Sequence, residues 1–198
     1  MKTNLTSLKK IGFPILEKFN SRCWIAGGAI TDYFLDRSVD NIDIFFPNES
    51  ARKGAINKLE SMGAKKLDSL PSEEKFKLKD KSYSLACIGR TPEETISQFD
   101  YTVCCVAVDQ SGNFYCHERY FDHLDCKKIH YLGNYPNMNF KNKSKRLRKY
   151  LEKGYSIDKE HLTYWLERLI KDQNRLRNKK SVSITEFKII KTKINKLP

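Results

Sequence analysis

Ala26-Gly27-Gly28-Ala29-Ile30-Thr31-Asp32-Tyr33-Phe34-Leu35, followed by Asn41-Ile42-Asp43-Ile44-Phe45-Phe46, is the stretch that decides the fold. A short apolar strand, Cys23 to Ala26, runs into a glycine pair. A helix is predicted from Ala29 to Leu35, and a second, buried strand from Ile42 to Phe46, stopped by Pro47 and Asn48. Glycine has no Cβ, so backbone N–H groups at Gly27 and Gly28 can approach an anion closely. The helix that follows turns its positive end toward the same place. Strand alternation sets residues 41 and 43 on one face and Ile42 on the other. A carboxylate on that face is suited to Mg²⁺, which binds oxygen ligands and bridges protein carboxylates to phosphates.

Working outward, Leu8 to Phe19 has a helical pattern, and so does Ser50 to Met62, with Asn48 or Ser50 as N-cap and Gly63 as C-cap. Phe76 to Leu78 and Tyr83 to Ile88 are predicted to form a hairpin around Lys79 to Lys81. Thr91-Pro92-Glu93-Glu94 carries the signals of a helix start, and that helix is expected to reach Gln98. Tyr101 to Val108 is the most β-rich run and is expected to be one strand, turned back by Ser111-Gly112-Asn113. Asp100, at its mouth, is the natural third carboxylate. Helical pattern returns at Lys143 to Lys153, at Asp158 to Arg177 and after Thr185. The order implies an α+β sheet domain at residues 1–135 and a basic helical neck and tail at 140–198, separated by a turn-rich stretch around Pro136.

Charge follows the same division. The chain has 198 residues and a formal net charge of +13. From Lys141 to Pro198 there are 18 Lys and Arg against 6 Asp and Glu, so nearly all the excess lies in the second part. A segregated basic region attracts polyanions by counterion release, which makes nucleic acid the expected partner. Lys143, Lys145, Lys149, Arg175, Arg177, Lys179 and Lys180 are the cations expected to contact it. The neighbouring Tyr150 and Trp165 are better read as a helix–helix seam.

No apolar run has the length of a signal peptide or membrane span, so a cytoplasmic protein with reduced, buried cysteines is expected. Cys116, His117, His123, Cys126 and His130 are clustered, but their spacing fits no zinc finger.

The glycine pair with Asn41-Ile42-Asp43-Ile44 resembles the head domain of the polymerase-β-type nucleotidyltransferases. The likeness is to the bacterial poly(A) polymerase and CCA-adding branch and to small phage-encoded relatives. Phe99-Asp100-Tyr101-Thr102-Val103 resembles that family's Arg-Asp-Phe-Thr-Ile strand. Asp109 to Asn113 and Phe121 to Ile129 resemble the segments after it, and Arg146 to Asp158 resembles the start of the helical neck. The resemblance implies a mixed twisted sheet flanked by helices. It also implies metal-dependent transfer of a nucleoside monophosphate from an NTP to a hydroxyl, expected on an RNA or tRNA 3′ end.

By the same resemblance, Asn41, Asp43 and Asp100 hold Mg²⁺ or Mn²⁺ and form the catalytic set. Gly27, Gly28, Thr31, Asp32, Arg146 and Arg148 bind the nucleotide. Three positions depart from the family pattern. Asn41 stands where an Asp is expected, Thr31 where a triphosphate-binding Arg is expected, and Phe99 where an Arg precedes the strand Asp. These departures leave two alternatives: a catalytically impaired relative that binds nucleotide or nucleic acid, and a transferase acting on a protein or small molecule.

Overall fold

Ile42 and Ile44 face one side of a seven-stranded sheet, while Asn41, Asp43 and Phe45 face the other, and most of the architecture follows from that alternation. A computed structural model describes residues 13–70, 73–132 and 140–177. In chain order the elements are α1 (Phe13–Leu16), β1 (Trp24–Ala26), α2 (Gly28–Phe34), β2 (Asn41–Phe45) and α3 (Glu49–Ser61). Next come β3 (Lys65–Leu70), β4 (Glu73–Leu78), β5 (Lys81–Ala86), α4 (Pro92–Ile96), β6 (Val106–Asp109) and β7 (Phe114–Cys116). Last are α5 (Tyr120–Asp125), β8 (Lys128–Ile129), α6 (Phe140–Glu152), β9 (Ser156–Ile157) and α7 (Lys159–Arg177).

The strands lie in the order β3-β4-β5-β2-β1-β6-β7. Only β2 and β5 pair in parallel, so the sheet is mixed, as expected for an α+β fold.

One face packs a dry core. Ile25, Ile42, Ile44, Phe76, Leu85, Val106 and Val108 meet Ala55, Ile56 and Leu59 of α3 and Ile30 of α2. Asn48 caps α3, its side chain accepting the Ala51 N–H at 2.9 Å. Gly63 follows that helix at φ 84°, a conformation that a Cβ would strain.

The other face carries Trp24, Ala26, Phe45 and Ala107. They pack with Ile96, Phe99 and Tyr101 and with Leu147, Tyr150, Trp165 and Leu169 from α6 and α7. The Trp24 indole N–H donates to the Thr95 hydroxyl at 3.1 Å. Thr91 caps α4, accepting the Glu94 N–H. The neck is stitched to the head by the parallel pair β8–β9, with Ile129 opposite Ile157.

Several expectations are corrected. Tyr101 to Val108 is not one strand: Tyr101 forms an isolated bridge with Tyr131, Thr102–Cys104 is a 3-10 turn, and β6 starts only at Val106. β3, α5, β8 and β9 were not anticipated, and of the Leu8–Phe19 helix the described part is Phe13–Leu16. The helix after Thr185 and most of the expected boundary stretch lie outside the described residues. Cys23, Cys104 and Cys105 are buried free thiols as expected, but Cys126 is exposed.

Candidate functional site

Asp43 lies in the middle of β2, between Ser84 of β5 and the end of β1. The antiparallel pairing of Trp24 with Phe45 and Ile25 with Ile44 brings Ala26 alongside Asp43. The Gly27-Gly28 bend then leaves the sheet at the Asn41 end of β2. Desolvation raises the Asp43 carboxyl above its ordinary value, and a hydrogen bond from Ser84 offsets part of that rise. Glu73 raises it further, while Lys75 and Arg146 act in the opposite sense. An isolated acid held this way gains from a nearby cation.

Gly27 adopts φ 88°, and its N–H donates to the Val106 carbonyl at 2.9 Å. A Cβ there would sit 3.4 Å from the Phe99 ring. The backbone angle favours glycine here, while the ring alone would tolerate a Cβ at ordinary contact distance. A Cβ on Gly28 would meet nothing within 4 Å, so the space above the bend is open. Phe99 also packs on Phe45, with ring centroids 5.9 Å apart. Asp100, next to Phe99, thus lies on the same face of the sheet as Asp43.

Asp100 is not free. It is 2% exposed, and Arg146 of α6 grips both its oxygens, Nε to Oδ2 at 2.6 Å and Nη2 to Oδ1 at 2.7 Å. Burial alone would lower the Arg146 pKa, but the bonded carboxylate outweighs it and raises it. Two of the lone-pair positions of Asp100, the expected metal ligand, are thus taken by the guanidinium, one on each oxygen. Arg146, the expected nucleotide contact, has its Nε and one Nη2 hydrogen on Asp100, and its side chain is 36% exposed.

Further oxygen donors lie around Asp43 on the same face. Asp43 offers one carboxylate, exposed Asn41 an amide oxygen and Ser84 a hydroxyl. Among the described residues, no group of three or more His, Cys, Asp or Glu could hold a metal. Asp43, Asn41 and Ser84 are the oxygen donors on this face that could hold a Mg²⁺ ion.

Other predicted residues fall elsewhere. Thr31 is turned into the core, 2% exposed, its hydroxyl donating to the Val103 carbonyl at 2.6 Å and meeting the Tyr120 hydroxyl at 3.2 Å. It is not presented to a nucleotide. Asp32 accepts from Lys153 Nζ at 2.7 and 2.6 Å and pairs with Arg37 at 3.5 Å, so it joins α2 to the neck rather than facing the glycine bend. Arg148 is exposed and pairs with Glu152 one turn on. Lys143 is 5% exposed and cannot serve as a surface cation, whereas Lys145 and Lys149 are exposed. Arg175 and Arg177 lie in the last turns of α7, and Lys179 and Lys180 fall outside the described residues.

The sequence reading missed Ser84 and Lys75, both beside Asp43. Its one usable signal was the alternation Lys75-Phe76-Lys77, which turns the lysines away from the buried Phe76.

The fold is that of tRNA-processing nucleotidyltransferases. A tRNA-processing enzyme in an apo form superposes with a TM-score of 0.59 at 15% identity, covering 87% of this chain and 52% of that one. The Thermotoga maritima CCA-adding enzyme complexed with tRNA gives 0.61 at 14% identity, over 84% of this chain and 41% of that one. The Bacillus stearothermophilus CCA-adding enzyme in complex with CTP gives 0.58 at 16%, over 76% and 41%. This chain thus spans about half or less of the length of these enzymes. No curated protein matches it in sequence. A family profile does match, over residues 2–127, and by it the chain belongs to the Gabija anti-defense 2 (Gad2) family.

Proposed function

We propose that this chain is a nucleotidyltransferase head with its neck, and that it transfers a nucleoside monophosphate from an NTP to an acceptor hydroxyl, here a nucleic-acid 3′ end. The observation that carries the reading is the half-buried, partly desolvated Asp43 set beside the open Gly27-Gly28 bend on one face of the sheet. In this reading the triphosphate lies over the bend, with backbone N–H groups as donors. A divalent ion, Mg²⁺ or Mn²⁺, held by Asp43 with Asn41 would supply charge neutralisation of the phosphates. The acceptor oxygen bonds to the α-phosphorus as the bond to pyrophosphate breaks, and the hydroxyl proton passes to solvent. Arg146, held by Asp100, adds a fixed positive field near Asp43 without touching the reacting atoms.

Membership of a family named for countering Gabija gives the transfer a setting: modification of a hydroxyl that matters to that defence. The test is incubation with labelled NTPs, Mn²⁺ or Mg²⁺, and RNA. Transfer by the chain, increased by Asn41→Asp and abolished by Asp43→Asn, supports the reading. Absence of transfer to any acceptor by both the chain and Asn41→Asp refutes it.

A further inference from the structure

Among the described residues, the β4–β5 part of the wing β3-β4-β5 is covered on one face only, and β3 is exposed throughout. Under α3, Phe76, Tyr83 and Leu85 are buried. On the opposite face Lys65 and Lys77 are exposed, and Lys75, Ser82 and Ser84 are half-buried.

Strand register aligns these side chains in rows across the wing. One row reads Asn41, Ser82, Lys77, Lys65, each residue directly paired with the next. Every member of it can donate a hydrogen bond, and none is acidic. The neighbouring row reads Asp43, Ser84, Lys75, Asp68. The donor row begins at the glycine bend, one residue from Asp43 on the same face, and runs to the edge of the sheet. With strands about 4.8 Å apart it is roughly 14 Å long, more than one triphosphate covers.

We propose that this row is the track on which a single-stranded nucleic acid lies, its phosphodiester backbone on Lys77 and Lys65 and its terminal hydroxyl delivered to Asp43. The inference rests on the transferase reading for what happens at Asp43, but not for the binding itself. Charge complementarity decides the occupant. Two exposed ammonium groups, an amide and a hydroxyl in a line suit regularly spaced phosphates, and a flat, open face suits an extended strand better than a globular partner. Asp40 and Asp80 are the acids at this end of the strands. They leave the charge balance positive, with Lys79 and Lys81 beside them.

The test uses the full chain and a fluorescein-labelled 12-nucleotide single-stranded RNA, read by anisotropy across a salt series. Lys65→Glu with Lys77→Glu is expected to weaken binding at least tenfold and to flatten the salt slope by about 1.4, since each phosphate contact on a single strand contributes about 0.7. A fluorescent ATP analogue should bind the variant as it binds the parent. The control pair Lys53→Glu with Lys58→Glu, exposed on α3 behind the sheet, should leave RNA binding within about twofold. If the charge-reversed chain does not fold, Lys65→Gln with Lys77→Gln is expected to show the same order of loss in smaller measure.

Equal losses in both pairs, or a loss confined to Lys145→Glu with Lys149→Glu, overturn the track. So does nucleotide transfer onto a protein acceptor with RNA binding untouched by the wing variants, an outcome that leaves the transferase chemistry standing. Wing-dependent RNA binding without any nucleotide transfer supports the track and sinks the transferase reading instead.

Discussion

The two faces of the sheet are built from different residues. The face under α3 is filled mainly by Ile, Leu, Val and Phe, with the charge of buried Arg52 kept at its margin between Glu49 and Glu74. The face under α4 and the neck uses Trp24, Tyr101, Tyr150 and Trp165, and it holds buried Asp100 against half-buried Arg146, with half-buried Asp43 on the same face. An apolar face repays burial with stability. A face that encloses charges costs stability unless each charge is partnered. Asp100 has its partner, whereas the charge of Asp43 is offset only in part by Ser84, Lys75 and Arg146.

The comparison can be broken most forcefully at Asp43. Asp43→Asn should reduce transfer by on the order of 10³-fold while leaving the melting temperature unchanged or raised. The sign follows from its raised pKa: the folded state holds the proton more tightly than the unfolded one, so ionisation at neutral pH opposes folding. A clear fall in Tm would make Asp43 a structural acid. Next, Arg146→Ala leaves buried Asp100 unpaired and should cost about 3 kcal/mol by denaturant unfolding, near the low end because the Arg146 side chain is itself 36% exposed. Leu59→Ala on the other face should cost a similar amount, about 2–5 kcal/mol, yet leave the activity of folded molecules intact.

Smaller effects come with pH. The acid limb of transfer should lie above the ordinary carboxylate value of 3.8, because Asp43 must ionise to act. His130 meets His161 with the rings tilted and centroids 3.6 Å apart, and stacks on His123 at 5.5 Å. Burial first, then these neighbouring rings, lower its pKa to about 4. The folded state therefore binds this proton less readily, and the associated stability is present above about 6.5 and is lost as pH falls toward 4. His130→Phe should lessen that decline in Tm between pH 7 and pH 5.

Legibility in the sequence tracked local physics. Asn48, Gly63 and Thr91-Pro92 announced their helix ends because capping involves only near neighbours. β3 was illegible: Lys65-Lys66-Leu67-Asp68-Ser69-Leu70 is exposed throughout, with a bulge at Leu67, so no alternation survives. Tyr101 to Val108 misled because a buried 3-10 turn and a buried strand are equally apolar. The glycine bend and Asp43 were visible as a pattern. The capture of Asp100 by Arg146, 46 residues away, was not, since no local periodicity encodes a long-range ion pair.

Among the ties that bind the neck to the head are three that stand out: the β8–β9 ladder, Lys153 on Asp32, and Arg146 on Asp100. Opening the molecule like jaws would break all three together. Traffic to and from Asp43 is therefore better served by a ledge than by a mouth, with reactants sliding in sideways over strands that stay still.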